Sequence, residues 1–346
     1  MRIGRIAWLG LAPAAAILAI ACQGRSPLPE GAELIPADTT FALSVDVPAV
    51  LNSEIYKRYQ AQESAFGKNR LNFLRFAQAT GLDPSKDIKR LLLMARAGES
   101  GLAEMSGVAT GSFDGRKVHD FLVASGMPSR QVEGVDIFEF LVVEDRCRFC
   151  LAVIDASTAA FGDGETLEKI ARVRKGSEAA LASGDAGRLL RRVSRGAEAW
   201  GILRADDIKK RLTDVLSKVR ADGGALAALG PIHEAAFSFD TTEPMRVLIE
   251  MTATSEDDAM KVADILKGAE SLGRLALKEA KPELGKILSD LTVEADTGVV
   301  RVSVSIPSSD VATVIQVLGL DRLEQRLTPL RTPPPPAGSA SPATSL

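Results

Sequence analysis

The sequence predicts an α+β protein, built as two modules of mostly antiparallel sheet with amphipathic helices packed on one face. Strand-like segments with alternating apolar residues come in pairs joined by tight turns, and a segment with helical 3.6-residue spacing follows each pair. Strand pairs of this kind form antiparallel sheets, which need helices to bury their apolar side. A small, glycine-rich stretch (ADGGALAALG) interrupts the pattern, so we expect a first domain at 34–220, a linker at 221–230 and a second domain at 231–327.

The first domain alternates predicted strands and helices along its length. Strands are expected at 41–47, 88–97, 108–113, 135–143, 149–155 and 199–204. Helices are expected at 48–59, 69–80, 115–122, 167–173, 188–193 and 207–220. The last of these helices has the clearest pattern, because Ile208, Leu212 and Val215 recur on a single stripe.

The second domain has a simpler order of two hairpins and three helices. Its strands are expected at 235–240, 245–252, 291–295 and 299–306, and its helices begin at Ser255, Pro282 and Ser308. A recurrence of strand, small or acidic cap and helix at 107–125, 245–267 and 299–318 would fit distant duplicates. Residues 328–346 are rich in Pro, Ser and Ala, so they cannot bury a core and are predicted to form a disordered tail.

Residues 1–21 are typical of a secretory signal peptide. Arg2 and Arg5 give a positive start, and sixteen uncharged residues follow from Ile6 to Ala21. As a helix this run would rise only about 24 Å, which is short of the roughly 30 Å hydrocarbon core of a membrane. We therefore expect the segment to be cleaved; an uncleaved membrane anchor is the alternative.

The end of this segment, Leu18–Cys22 (LAIAC), resembles the lipobox of bacterial lipoproteins, in which small residues precede a cysteine. The resemblance implies cleavage after Ala21, lipidation of the Cys22 thiol with acyl chains such as palmitate, and attachment to a membrane. Ala19 stands where the family prefers leucine, and an ordinary signal with an incidental cysteine is the alternative. Gln23 resembles the residue that sorts such proteins to the outer membrane, facing the periplasm.

The composition argues against several classes of partner. Removal of residues 1–21 takes away Arg2, Arg5 and no acidic residue, so the formal charge moves from −3 to −5. A mildly acidic chain with interspersed signs has no basic stripe, so we expect no nucleic-acid partner. Aromatic residues make up only 5% of the chain, which argues against ligand binding by stacking on exposed rings.

With Cys22 lipidated, two cysteines remain, Cys147 and Cys150. A thioredoxin-like pair needs its first cysteine at a helix N-terminus, whereas these two lead into a strand-like run. A zinc site needs four ligands, and His119 and His233 are distant in sequence. A disulfide suits an oxidising periplasm, but residues three apart in a regular strand are about 10 Å apart between Cα atoms. Cys147 and Cys150 are therefore candidates for a disulfide only if the chain bends there; otherwise they are simply buried.

Other chemistry-bearing residues have ordinary structural interpretations. The loop Gly162–Thr166 lacks the Gly-Lys-Ser/Thr ending of a phosphate loop and fits a turn with a helix cap. The acidic run Glu256–Asp258 suits the first turn of a helix. His119 and His233 have no serine or cysteine nucleophile in a recognisable elbow, and Asp46 faces solvent or ends a strand. We therefore expect no catalytic residues, no metal and no cofactor.

The start of the body, Ile35–Asp38 (IPAD) followed by Ser44–Val47 (SVDV), resembles uncharacterised bacterial envelope lipoproteins. This resemblance implies no activity. Residues 22–33, rich in Pro and Gly, are expected to form a tether between the lipid and the body.

We expect a non-catalytic envelope lipoprotein that binds or scaffolds an unidentified envelope protein or ligand. The alternatives are an envelope hydrolase with an unrecognised Asp/Glu/Ser site and a lipid-anchored solute-binding protein. A pocket of convergent carboxylates would favour the hydrolase, and a deep cleft between domains would favour the solute binder. A broad exposed apolar surface would favour the binding role.

Overall fold

One antiparallel sheet organises the computed structural model, which describes residues 28–53, 80–97, 103–143, 146–193, 197–204, 230–280 and 282–311. The strands within these residues are β1 (Phe41–Asp46), β2 (Ile88–Ala97), β3 (Ala103–Gly111), β4 (Ser129–Val132), β5 (Val135–Val143), β6 (Arg146–Asp155), β7 (Thr158–Gly162), β8 (Ala199–Arg204), β9 (Ile232–Asp240), β10 (Met245–Ala253), β11 (Thr292–Asp296) and β12 (Val299–Ile306). Their order across the sheet is β11-β12-β10-β9-β8-β1-β2-β3-β7-β6-β5-β4.

The α+β class and the antiparallel pairing are confirmed, but the expectation of two separate modules is wrong. Strand β8 pairs with β1 on one side and with β9 on the other, so that Ala42, Ile202 and Ala236 lie in one row. Each half alone would end in an interior-type strand with unpaired backbone groups, and joining β1 to β8 removes both edges at once. Of the expected linker at 221–230, only Gly230 lies within the described residues.

The two halves of the sheet share one topology on either side of the β1–β8 pair. In the first half, β1, β2 and β3 are neighbours in order, and the later hairpin β6–β7 docks on β3 through β7. In the second half, β8, β9 and β10 follow the same order, and the hairpin β11–β12 docks on β10 through β12. The first half differs by the additional strands β4 and β5 at its outer edge.

Helices cover both faces of the sheet, so the expectation of helices on one face is wrong. The described helices are α1 (Val47–Asn52), α2 (Pro84–Asp87), α3 (Gly115–Ala124), α4 (Gly164–Lys175), α5 (Asp185–Val193), α6 (Glu256–Ala280) and α7 (Pro282–Ser289). On β6, Ala152 packs in one cluster with Leu167 of α4, whereas the preceding Leu151 packs against Leu122 of α3. Adjacent strand residues point to opposite faces, so α4 and α3 lie on opposite sides.

The largest apolar core lies on the face covered by α4 and α5, here called the α4 face. Trp200 and Ile202 of β8 are fully buried there with Leu190 of α5. The N-terminal chain also joins this core, because Ala32 is 0% exposed although the sequence assigned it to the tether. The opposite face, here called the α6 face, carries a second core in which Val262 of α6 packs on the strands of the second half.

Two glycines on the α6 face lie under aromatic rings of the neighbouring strand. Gly107 of β3 pairs with Phe161 of β7, and Gly201 of β8 pairs with Phe237 of β9. A Cβ atom at position 107 would lie 2.9 Å from Cε1 of Phe161, and one at position 201 would lie 2.8 Å from Cε1 of Phe237. Each ring therefore occupies the space that a side chain would need, which explains a glycine inside an interior strand.

Candidate interaction site

Cys147 and Cys150 lie on β6 where its pairing with β5 is irregular. Cys150 is opposite Glu139 and Cys147 is opposite Val142, but Phe140 and Arg148 have no partner in the ladder. In a regular strand the two cysteines would point to opposite faces, whereas both are buried on the α4 side. The bulge brings their Cα atoms to 6.0 Å, within disulfide range, and the two sulfurs are bonded. The required bend is therefore a β-bulge.

The disulfide packs directly beneath the first turn of α4. A Cβ atom on Gly164, the first residue of that helix, would lie 3.0 Å from Cβ of Cys147 and 3.2 Å from Sγ of Cys150. The two cysteines are only 3% and 0% exposed. The bridge is shielded from solvent on this side, so it is a structural cross-link within β6 against which the start of α4 packs.

The same bulge presents large apolar side chains to solvent. Phe149, between the two cysteines, is 43% exposed, and its ring meets the ring of Phe140 edge-on at a centroid distance of 5.9 Å. Leu141 and Val142 are 54% and 49% exposed. Met105 of β3 is 61% exposed, and it directly precedes Ser106, which shares a row of the sheet with Gly162 and Cys150. We call these five residues the tip patch; it extends around β5, because the adjacent residues Leu141 and Val142 point to opposite sides of the strand. Apolar residues that are exposed together mark interaction surfaces more often than scattered ones do.

The tip patch lies at the opposite end of β3 from Glu30. Met105 is near the start of β3, and Thr110 near its end donates a hydrogen bond from Oγ1 to Oε1 of Glu30 at 3.3 Å. Five residue steps along the strand separate the two, or about 17 Å. The chain therefore enters the fold at one end of β3, and the patch is exposed at the other.

A network of ion pairs fixes the backbone beside the patch. The guanidinium of Arg96, which is 6% exposed, lies 2.8 Å from Glu104, 2.6 Å from Glu165 and 3.0 Å from Asp38. Its hydrogen bond lowers the pKa of Glu165, with further lowering by the charges of Arg96 and Lys169. Burial alone would raise the pKa of Asp38, but the hydrogen bond and charge of Lys169, with Arg96, bring it below its usual value. These contacts tie α4 to the ends of β2 and β3.

A second buried carboxylate belongs to the other half of the sheet. Glu250 of β10 is 0% exposed, and its Oε1 accepts hydrogen bonds from Nη2 and Nε of Arg301 at 2.6 and 2.9 Å. Its Oε2 lies 3.3 Å from Nε of Arg192 on α5. The carboxylate is thus neutralised from two sides, and the contacts join α5, β10 and β12.

A cleft of about 400 Å³ opens beside the start of α5. It is lined by Ser183, Gly184, Asp185, Arg188 and Arg191. Asp185, the one carboxylate among these described lining residues, already pairs with Arg188 at 2.6 Å. The described lining therefore does not bring together the several carboxylates that the hydrolase alternative needs.

The residues singled out in the sequence have local structural roles where the structure describes them. Asp163 in the glycine-containing loop accepts a hydrogen bond from the Thr166 N–H and caps α4, as Asp46 does for α1 with Ala49. The hydrogen bond with Asp136 raises the pKa of His119, and His233 lies beside Thr254.

The acidic run 256–258 forms the first turn of α6, where Ser255 accepts from the Asp258 N–H. Within the described residues, no group of three or more His, Cys, Asp or Glu side chains is arranged to hold a metal ion. Ala21 and Cys22 lie outside these residues, as does the helix expected at 207–220.

The tip patch was not predicted, although the sequence carries a signal for it. The run Phe140–Val143 has four consecutive apolar residues, which breaks the alternation expected of a strand with one buried face. In the neighbouring CRFC segment, a regular continuation of the Glu139–Cys150 pairing would place Phe149 opposite Phe140, which is also apolar. Together these two departures from alternation indicate a bulge with outward apolar side chains.

Among the described residues, none of the helices is long and apolar enough to cross a bilayer. No protein-family model matches the chain, and no similar protein is found among curated proteins or solved structures.

Proposed function

We propose that this protein is a lipid-anchored envelope protein, attached through Cys22 to the outer membrane and facing the periplasm, with a non-catalytic binding or scaffolding role. The observation that carries the proposal is the tip patch, whose five apolar side chains are between 43% and 61% exposed. Its position beside a disulfide and a buried ion-pair network gives it a rigid support. A rigid apolar surface is suited to bind another protein, because little conformational entropy is lost on association.

The geometry of the N-terminus supports an outward-facing patch. Only residues 23–27 separate Cys22 from Leu28, which already packs against the main core. Six steps along an extended chain span at most about 21 Å, so a lipid on Cys22 would hold the body close to the membrane. Because the patch lies at the far end of β3 from Glu30, it would be accessible to a partner in the periplasm.

The contacts of the buried carboxylates support a binding role over the hydrolase alternative. Glu104 is paired with Arg96, Glu250 with Arg301, and Asp163 with the N-terminus of α4. A general acid or base needs a carboxylate that can reach a substrate, and these three are occupied by structural contacts. The continuous sheet through β1 and β8 likewise supports the binding role over a two-lobed solute binder.

Two measurements on the full chain in its bacterial envelope test the proposal. The first compares metabolic labelling by a palmitate analogue in the wild type and in Cys22→Ser; we expect label only in the wild type, and equal labelling would refute the anchor.

The second measurement places the photo-crosslinking residue p-benzoylphenylalanine at Met105. Val123 of α3 is the control position, because that residue is also exposed, at 56%. We expect an adduct with another envelope protein from position 105 only, abolished by Phe149→Asp; no adduct at position 105 would contradict a binding role for the patch.

A further inference from the structure

Among the described residues, part of β5 has a strand on one side only. The outermost strand, β4, has four residues and pairs only with Val135–Phe138. The next backbone group on that side, the N–H of Glu139, donates to the carbonyl oxygen of Pro128 at 2.8 Å. For residues 140–143, no strand within the described part of the chain lies on the side away from β6. This stretch can therefore accept another strand through its backbone groups.

The side chains of the open stretch identify the kind of occupant. Leu141 is opposite Phe149 and Val142 is opposite Cys147, so the two point to opposite sides of β5. Both are about half exposed, at 54% and 49%. A helix or a bilayer lying on one face would shield only one of them. A strand running alongside contacts both faces and also pairs with the backbone.

Charge distinguishes this stretch from the other edge of the sheet. The edge strand β11 exposes Glu294 and Asp296, so a second copy pairing there would bring carboxylates together. Charges of this kind are a common protection of sheet edges against pairing. Residues 140–143 (FLVV) carry no charge, and of the carboxylates that flank them Glu139 is already paired with Arg130 at 2.7 Å. Two such edges therefore meet without like charges inside the four-residue contact.

We propose that β5 of a second copy pairs antiparallel with this open stretch, joining two sheets about a two-fold axis. Such a contact uses the same residues on both copies and closes on itself, so the assembly stops at two. The pairing would cover Leu141 and Val142 of both copies and bring the two Phe149 side chains to the same side of the assembly or close to its axis, next to the joined edge. The inference rests on the proposed function in one respect, since a lipid anchor confines copies to one membrane and favours their encounter.

The mass of the full chain, purified with its anchor in mild detergent, tests the pairing. We expect a dimer that Val142→Lys weakens by at least about tenfold in dissociation constant, because each copy would bring a charged side chain into the paired edge. Val123→Lys is the matched control, since Val123 is similarly exposed on α3, and it should leave the dimer unchanged. A wild-type chain that stays monomeric at every concentration overturns the proposal, as does an equal effect of the two variants.

Crosslinking in intact cells tests the same contact without altering Val142. With p-benzoylphenylalanine at Phe140, we expect an adduct of twice the chain mass, joined to residues 135–143 of the second copy. An adduct only with a different protein would overturn the pairing but leave the binding role standing. A dimer that persists in Cys22→Ser, with no label in the wild type, would refute the anchor but not the pairing.

Discussion

The ring of Phe149 lies edge-on to the ring of Phe140, with centroids 5.9 Å apart and planes inclined at 74°. Phe149 is one of the two residues enclosed by the Cys147–Cys150 bridge, and both cysteines are buried in the core whereas Phe149 is 43% exposed. Because the bulge turns both cysteines inward, Phe149 is directed outward. The shape of the tip patch is therefore coupled to a cross-link that is itself buried.

Replacing both cysteines by alanine should lower the free energy of unfolding by about 2 kcal/mol, the value expected from loop-closure entropy for so short a loop. The amides of β5 and β6 near the bulge should also exchange faster with solvent, because the bulge loses its restraint. Chemical denaturation and hydrogen exchange measure the two effects. The wild type in reducing agent should behave like the double variant once the bridge is reduced; unchanged stability in both would show that packing alone maintains the bulge.

The two halves of the sheet meet beside Gly201, where we expect Gly201→Ala to destabilise the protein by about 1–3 kcal/mol. The added Cβ would lie 2.7 Å from the carbonyl oxygen of Ala42, which is backbone and cannot move aside. The control is Gly268→Ala in α6, where no atom lies within 4 Å of the added Cβ. That substitution should raise stability by about 0.5–1 kcal/mol, because alanine favours a helix over glycine. Thermal melting of both variants decides the point, and a stabilising Gly201→Ala would contradict the packing described here.

Arg96→Ala should cost about 3–5 kcal/mol of stability, since it leaves Glu104 buried without its partner. The comparison is Arg188→Ala, which removes a pair whose side chains are 72% and 69% exposed. An exposed pair of this kind contributes less than about 1 kcal/mol. Urea denaturation should separate the two variants clearly, whereas similar losses would mean that the Arg96 network is hydrated and weak.

The stability of the protein should fall in acid partly through Glu165. Its pKa in the folded protein lies below the ordinary value of 4.5, chiefly because Arg96 donates a hydrogen bond to the carboxylate. A lowered folded pKa means that the stabilisation is present above the ordinary pKa and is lost as the pH falls through the folded value. Glu165→Gln should therefore be less stable than the wild type near neutral pH and should lose less stability on acidification. Parallel pH profiles for the two proteins would show that Glu165 does not contribute.

Local sequence patterns were sufficient for most of the strands and for their antiparallel pairing. The bounds of β2, β8 and β12 match their predicted ranges, since alternation and turn residues mark both of their ends. Strands β4 and β7 were missed because they are short, and β7 (TAAFG) is formed mostly of small residues. Its strand structure depends on pairing with β3 and β6, and no local pattern records such a pairing.

Two features depend on contacts between residues that are distant in sequence: the pairing of the two halves through β1 and β8, and the exposure of the tip patch. In β8, residues 199–202 are all buried, which is typical of an interior strand, but periodicity does not say which strands lie beside it. The spacing of Cys147 and Cys150 shows that a disulfide requires a bend in the chain. Whether the chain bends there depends on the register between β5 and β6, which the sequence does not specify. A shift of one residue in that register reverses which side chains face the core.

The pairing of β1 with β8 also sets an order in which the chain can fold. Synthesis delivers β1 early, whereas its neighbour on one side consists of residues 199–204 and arrives only after the rest of the first half. Until then the backbone of Phe41–Asp46 presents an unpaired edge that strands from other molecules can occupy. A nascent chain halted before β8 is thus open to misassociation at its centre, and the complete chain closes that gap with its own later residues.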